Sequence, residues 1–263
     1  MLVTLPHVFC FVVLVASAIR QIVLINNGHQ MDKISTLLLV IGIICTSTLI
    51  INGLISNEWS PSTGLMGGLI GIVLIVLIII TARSQPIDSL LIFVSPITGS
   101  FVLLAGFFPS NELNPLTRGN IIHILTSIAA YGTLAFAGLL SVLIGWYEYK
   151  LKKSPLSPTI AALPPFDALT LLFLNLTKTA FFLLAISLTS GFLFIDSFWN
   201  SGVAHKSILT SLAWIILLCA LVRYWVYGVV DRLFRNTVFS SIGLVCVGYL
   251  GSKAILEFII IPS

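Results

Sequence analysis

Eight long apolar runs dominate this 263-residue sequence, and they decide which solvent most of the chain can face. Only 8% of the residues are charged, whereas soluble domains carry about 25%. Water could not solvate the surface of a fold with so few charges, so lipid is the expected solvent. The runs lie near residues 3–25, 34–55, 64–82, 88–108, 119–147, 169–195, 207–228 and 236–260.

The length and continuity of these runs indicate helices rather than strands. Roughly 20 apolar residues in a helix cross the hydrocarbon core of a bilayer, and a helix satisfies its own backbone hydrogen bonds there. A membrane β-barrel would show alternating apolar and polar residues instead. We therefore predict an all-α, polytopic bundle of about eight transmembrane helices, forming one transmembrane domain over residues 1–263.

The basic residues predict an orientation rather than a nucleic-acid partner. The net charge is +4, but the cations are scattered between the apolar runs and form no patch. The even-numbered loops hold only Arg118 and Lys206, so the positive-inside rule places the odd-numbered loops in the cytoplasm. Both termini are then expected outside, which is the periplasm in a bacterium, with the first run retained as a helix. The cations of the odd-numbered loops and their edges are Arg20, Lys33, Arg83, Lys150, Lys152, Lys153, Arg232 and Arg235.

Motifs for catalysis are lacking in the sequence. It shows no zinc-ligand spacing, phosphate-binding loop, nucleophile elbow or paired carboxylates, and we do not expect an enzyme. No Cys-x-x-Cys-His motif occurs, so covalently attached c-type haem is not expected. The cysteines are isolated in apolar runs and are interpreted as small buried residues. They are Cys10, Cys45, Cys219 and Cys246.

A histidine near the start of the fifth run is the first candidate for a binding role. His123 is followed by Ser127 and Tyr131, at positions that share roughly one helix face. An imidazole in lipid is costly unless it faces the bundle interior or a cavity. His123 is therefore either an axial ligand of haem iron or a hydrogen-bonded histidine at the membrane interface, and the residues alone leave both interpretations open.

Other polar and aromatic residues are weaker candidates for a binding role. Lys206 follows His205 at the start of the seventh run, where a cation could pair with a ligand carboxylate or anchor the helix edge. His7 lies at the start of the first run, and Trp199 in the sixth loop could stack on a porphyrin or belong to an aromatic belt. Lys178 lies inside the sixth run and is either a contact for an anion or a side chain that reaches the interface.

Three stretches of the chain carry a resemblance to a known family. They are NPLTRGNIIHILTSIAAYGTLAFAGLLSVLIGWYEYKLKK, LAISLTSGFLF followed by AHKSILTSLAW, and GLVCVGYLGSKAI. In order and spacing they resemble the cytochrome c assembly superfamily of haem-handling membrane proteins, most closely its YpjD-like branch. The resemblance is strongest over residues 114–255. It implies a bacterial inner-membrane protein that binds haem b non-covalently, with His123 as a ligand of the iron and Tyr131 beside it.

The same resemblance assigns Lys206 and Trp214 to the tail of a tryptophan-rich segment found in family members that deliver haem. Here the body of that segment is reduced to Trp199, and the second ligand histidine near the end of the seventh helix is missing. His7 or His205 could replace that ligand, and Lys206 and Lys178 are expected to neutralise the haem propionates. The partners implied are membrane lipid, haem and a protein of cytochrome c maturation or another haem pathway.

Two alternatives to haem handling remain open at this point. The reduced tryptophan segment favours a haem-free regulatory or scaffolding protein on the same fold. The other alternative is a transporter of another small amphiphile, which would predict a cavity near mid-membrane around Lys178.

Overall fold

The computed structural model describes residues 4–26, 32–55, 62–108, 118–153, 163–194 and 204–251, and within these ranges all regular structure is helical. Six of the helices are long and apolar enough to cross a membrane, which confirms the predicted all-α, polytopic bundle. The α-helices of the described residues are α1 (Leu5–Asn26), α2 (Lys33–Ile55), α3 (Thr63–Ala82), α4 (Leu91–Phe107), α5 (Arg118–Lys153), α6 (Phe166–Phe194), α7 (Ala204–Tyr227) and α8 (Arg232–Val245).

Several helix boundaries differ from those that hydropathy predicts. Helix α5 continues to Lys153 rather than ending near residue 147, because its last turns are amphipathic and end in lysines that suit a helix C-terminus. Helices α6 and α7 each begin three residues before the start of the predicted apolar run. Helix α8 begins at Arg232 and passes into a π-helical turn, Cys246–Gly251; the rest of the eighth predicted run lies outside the described residues.

The chain divides into two compact units, here called unit 1 and unit 2. Unit 1 comprises residues 1–116 and 253–263, and unit 2 comprises residues 117–252. Of unit 1 the structure describes α1 to α4, and of unit 2 it describes α5 to α8 with the π-helical turn. The single transmembrane domain expected from sequence stays a prediction.

In unit 1, a glycine face on α3 allows close approach to α4. A Cβ atom at Gly64 would lie only 2.6 Å from the carbonyl oxygen of Phe101, so a larger residue would push the two backbones apart. Such small-residue contacts are typical of helix pairs in membranes, where packing rather than hydrophobic burial drives association.

Asp32 caps α2 by accepting a hydrogen bond from the Ser35 amide. The pKa of its carboxyl is well below the usual range because Arg20 donates hydrogen bonds to it.

Unit 2 is organised around α5, which packs along α6 and α8. The rings of Phe136, Phe173 and Phe234 are fully buried in its core. Helix α7 ends at Tyr227, and the next residue, Gly228, has a φ of 68°, in the left-handed region that favours glycine. Asp231 then caps α8 by accepting from the Phe234 amide. This corner sets the position of α8 against the last turns of α5 and α7.

Candidate functional site

His123 lies on the side of α5 that packs against α6. The imidazole is half-buried, and its Nδ1 lies 3.0 Å from the carbonyl oxygen of Ser187 and 3.2 Å from Oγ of Ser190. A carbonyl oxygen can only accept a hydrogen bond, so Nδ1 carries the proton. In the neutral imidazole, Nε2 therefore presents a lone pair. The backbone of α6 thus fixes both the orientation and the tautomer of His123.

A network of hydroxyl groups surrounds this imidazole. Oγ of Ser127 donates to the His123 carbonyl oxygen at 2.6 Å and lies 2.7 Å from Oγ of Ser187. The single hydroxyl proton of Ser127 is used in the hydrogen bond to the backbone. Ser127 therefore does not donate to Nε2 of His123, which lies 3.5 Å from its Oγ. Oγ of Ser190 donates to the Ser187 carbonyl oxygen at 2.9 Å. We call His123, Ser127, Ser187 and Ser190 the histidine end of unit 2.

Tyr131 lies two turns further along α5 and links α5 to α7. Its hydroxyl group is 3.5 Å from Oγ1 of Thr210, and its ring packs 5.5 Å from the ring of Tyr249 in the π-helical turn. Thr210 lies one turn after Lys206 on α7, and Tyr131 lies two turns after His123 on α5. Helices α5 and α7 begin at the same end of unit 2. Lys206 and His123 therefore lie toward the same end.

Of the two predicted tryptophans, the structure describes Trp214 but not Trp199. Trp214 stacks on Phe181 of α6, with ring centroids 5.1 Å apart and an angle of 11° between the planes. Its indole nitrogen is buried and has no hydrogen-bond partner among the described residues. Trp199 lies outside the described residues, as does the side chain of His205, although the backbone of that residue is in α7.

Two further candidates, His7 and Lys178, have their own surroundings within their units. His7 belongs to unit 1, where its ring packs against Gly106 and lines a small cleft with Thr46. Lys178 lies nine residues before Ser187 on α6, which is about 14 Å along the helix axis. Its Nζ points away from His123, toward the ring of Tyr224 near the end of α7, at 5.4 Å from the centroid.

The opposite end of unit 2 holds two ion pairs, and we call Glu148, Arg223, Asp231 and Arg235 the ion-pair end. Arg235 is 4% exposed, and both of its terminal nitrogens bind Glu148, at 2.9 and 2.6 Å. Arg223 pairs with Asp231 at 2.5 Å. The guanidinium of Arg223 holds the pKa of the Asp231 carboxyl below its usual range. Each arginine thus has one carboxylate partner.

Sequence reasoning missed several of these contacts. Ser187 and Ser190 are spaced three apart in an apolar helix, which signals one shared face, but their histidine partner depends on helix pairing. The expectation that every cysteine is buried is wrong for Cys219 and Cys246, which are exposed on their helices. In a membrane protein such faces can contact lipid, so an apolar run does not require burial within the protein.

The histidine end fits one axial ligand of a haem iron. Ligand histidines usually donate their second ring nitrogen to a carbonyl or carboxylate, which fixes the tautomer and raises the basicity of the other nitrogen. His123 has that arrangement, with Nδ1 held by the Ser187 carbonyl oxygen. Within the described residues, no group of three or more His, Cys, Asp or Glu side chains could hold a bare metal ion.

Comparison with known proteins identifies the family. The family model described as cytochrome C assembly protein matches residues 2–260. Inner membrane protein YpjD of Escherichia coli strains K12, O6:H1 and O157:H7 is 27% identical over 172 residues, which is 62% of this chain and 64% of those proteins. No solved structure gives a significant match. Because the family model spans nearly the whole sequence, this chain belongs to the cytochrome c assembly protein family.

Proposed function

We propose that this protein handles haem in the inner membrane of a bacterium, with Nε2 of His123 as one axial ligand of a non-covalently bound haem b. The observation that carries the proposal is the hydrogen bond from Nδ1 to the Ser187 carbonyl oxygen, which leaves Nε2 unprotonated. Family membership and the inner-membrane designation of the E. coli relatives support the same function and location.

The serines of the histidine end orient the imidazole, and residues near that end would contact the haem. Ser187 and Ser190 hold the imidazole, and Tyr131 contributes an aromatic wall further along α5. Lys206, near the start of α7, supplies a cation for a propionate. Haem would contribute an iron that accepts the histidine lone pair. The positive-inside rule puts this end at the periplasmic face, with both termini on that side, where a cytochrome c maturation protein would be the partner.

The test is an absorption spectrum of protein purified from haem-replete cells. The wild-type protein is expected to show a Soret band, and His123→Ala is expected to lose most of it. His123→Gly with added imidazole should recover the band, because free imidazole can replace the missing axial nitrogen. Full retention of haem by folded His123→Ala would remove the ligand assignment.

His29→Ala is the matched control. It also deletes a histidine, but one that the predicted topology assigns to the opposite membrane face. Its Soret band should equal that of the wild-type protein. Equal loss in both variants would show that the band reports general damage rather than coordination by His123.

A further inference from the structure

Lys178 is a cation within the span of α6 that the histidine end does not use. It is the thirteenth residue of that helix, and no described carboxylate oxygen lies within 4 Å of its Nζ. Its ammonium group lies over the ring of Tyr224. A cationic side chain in a transmembrane helix either reaches the interface or marks a site for an anion. Lys178 is directed toward the end of α7, and the residue next to Tyr224 on that helix is also a cation.

That second cation is Arg223, the neighbour of Tyr224 on α7. Its guanidinium lies over the ring of Tyr227 at 4.9 Å from the centroid, and one nitrogen pairs with Asp231. Its Nε is buried and has no hydrogen-bond partner among the described residues. The side chain as a whole is 35% exposed, so its outer part stays accessible beside the ion pair.

Each of the two cations lies over a tyrosine ring on the last turns of α7. Tyr224 and Tyr227 are three residues apart on α7, so they lie on the same helix face. We call the cations Lys178 and Arg223, with these two rings, the basic edge. Arg232, the exposed first residue of α8, follows Asp231 directly. Three cations therefore accompany one carboxylate here, and the excess charge is positive.

Apolar surface adjoins this excess charge. Trp225, Val226 and Tyr227 are 87%, 69% and 65% exposed, at the end of α7. A molecule that matches both features has an anionic head and a hydrocarbon tail. Basic pockets between transmembrane helices bind the phosphate groups of anionic lipids in this way. A zwitterionic lipid fits less well, because it carries its own cation.

We propose that the basic edge binds the phosphodiester headgroup of an anionic phospholipid, with Lys178 and Arg223 as its donors and the exposed end of α7 against its acyl chains. The site lies at the end of unit 2 opposite His123, and it is independent of haem binding. It also explains why Lys178 points away from the histidine end.

Thermal unfolding of the full chain in detergent, with added lipid, tests the site. Phosphatidylglycerol should raise the midpoint, whereas phosphatidylcholine and inorganic phosphate should not. Lys178→Met should weaken the apparent affinity for phosphatidylglycerol about fivefold, as expected for one cation near an anionic headgroup. Stabilisation by inorganic phosphate alone would overturn the assignment to a lipid.

Lys153→Met is the matched control, because the ammonium of Lys153 also lies over a tyrosine ring, that of Tyr149 at 4.8 Å. It should bind phosphatidylglycerol as the wild-type protein does. Equal weakening in both variants would replace the site with general surface charge. Lys178→Arg keeps the cation and should retain binding; if it loses binding while it elutes as a folded protein, the proposal fails.

Discussion

At the histidine end of unit 2 the polar groups hydrogen-bond one another, whereas at the ion-pair end they are charged and paired. The imidazole of His123 is held by a backbone carbonyl and keeps one nitrogen with a lone pair. Arg235 uses both terminal nitrogens on Glu148 and has little capacity left. Both ends satisfy polar groups inside a helical bundle, but only the first leaves an acceptor for a ligand. That difference separates the imidazole of His123, a candidate ligand, from the structural contact between Glu148 and Arg235.

The largest expected effect tests whether the Glu148–Arg235 pair is structural. Glu148→Ala leaves a buried, unpaired guanidinium and should lower the free energy of unfolding by about 3 kcal/mol. Arg235→Met leaves a carboxylate that is 35% exposed, so the loss should be less than about 1 kcal/mol. Chemical denaturation in detergent measures both values. Equal losses would show that burial of Arg235 does not decide the effect, and neither variant should alter haem binding.

A pair of glycines on α5 compares packing at its two ends. A Cβ atom at Gly119 would lie 2.6 Å from Cγ of Phe194, so Gly119→Ala should destabilise the protein by about 1–2 kcal/mol. At Gly145 no atom lies within 4 Å of the added carbon. Gly145→Ala should therefore stabilise the helix by about 0.5–1 kcal/mol. The unfolding free energies of both variants check this, and the same sign for both would contradict the packing difference.

The smallest expected effect is the loss, in acid, of the stability that Asp231 contributes at the ion-pair end. The lowered pKa of Asp231 means that its stabilising contribution is complete above its unfolded pKa of about 3.9 and is lost as the pH falls through the folded value. Asp231→Asn keeps a capping residue for α8 but loses the ion pair, and Asp231→Ala loses both. Thermal midpoints at neutral pH should fall in the order wild type, Asn, Ala. Acid should reduce the difference between wild type and Asp231→Asn; a difference that grows in acid would contradict the assignment.

Sequence predicted the helices well because each membrane helix needs its own apolar run, whatever its neighbours. It also predicted that His123 and Ser127 share a face, since both lie on α5. Ser187 could not be assigned to His123, because that contact depends on how α5 pairs with α6. For the same reason the sequence pattern indicates that Arg235 is a loop cation that orients the chain, whereas the structure buries it against Glu148. Local periodicity gives a residue's face, and only packing gives its partner.

The length of α5 affects how the protein responds to its bilayer. Its 36 residues extend about 54 Å, well beyond the roughly 30 Å of hydrocarbon. Glu148 lies five residues before Lys153, the last residue of that helix, so the carboxylate lies near the headgroups rather than at the bilayer centre. Lipids with longer acyl chains would move the water boundary outward along α5 and dehydrate this carboxylate. Membrane thickness is thus expected to control how much the Glu148–Arg235 contact contributes to stability.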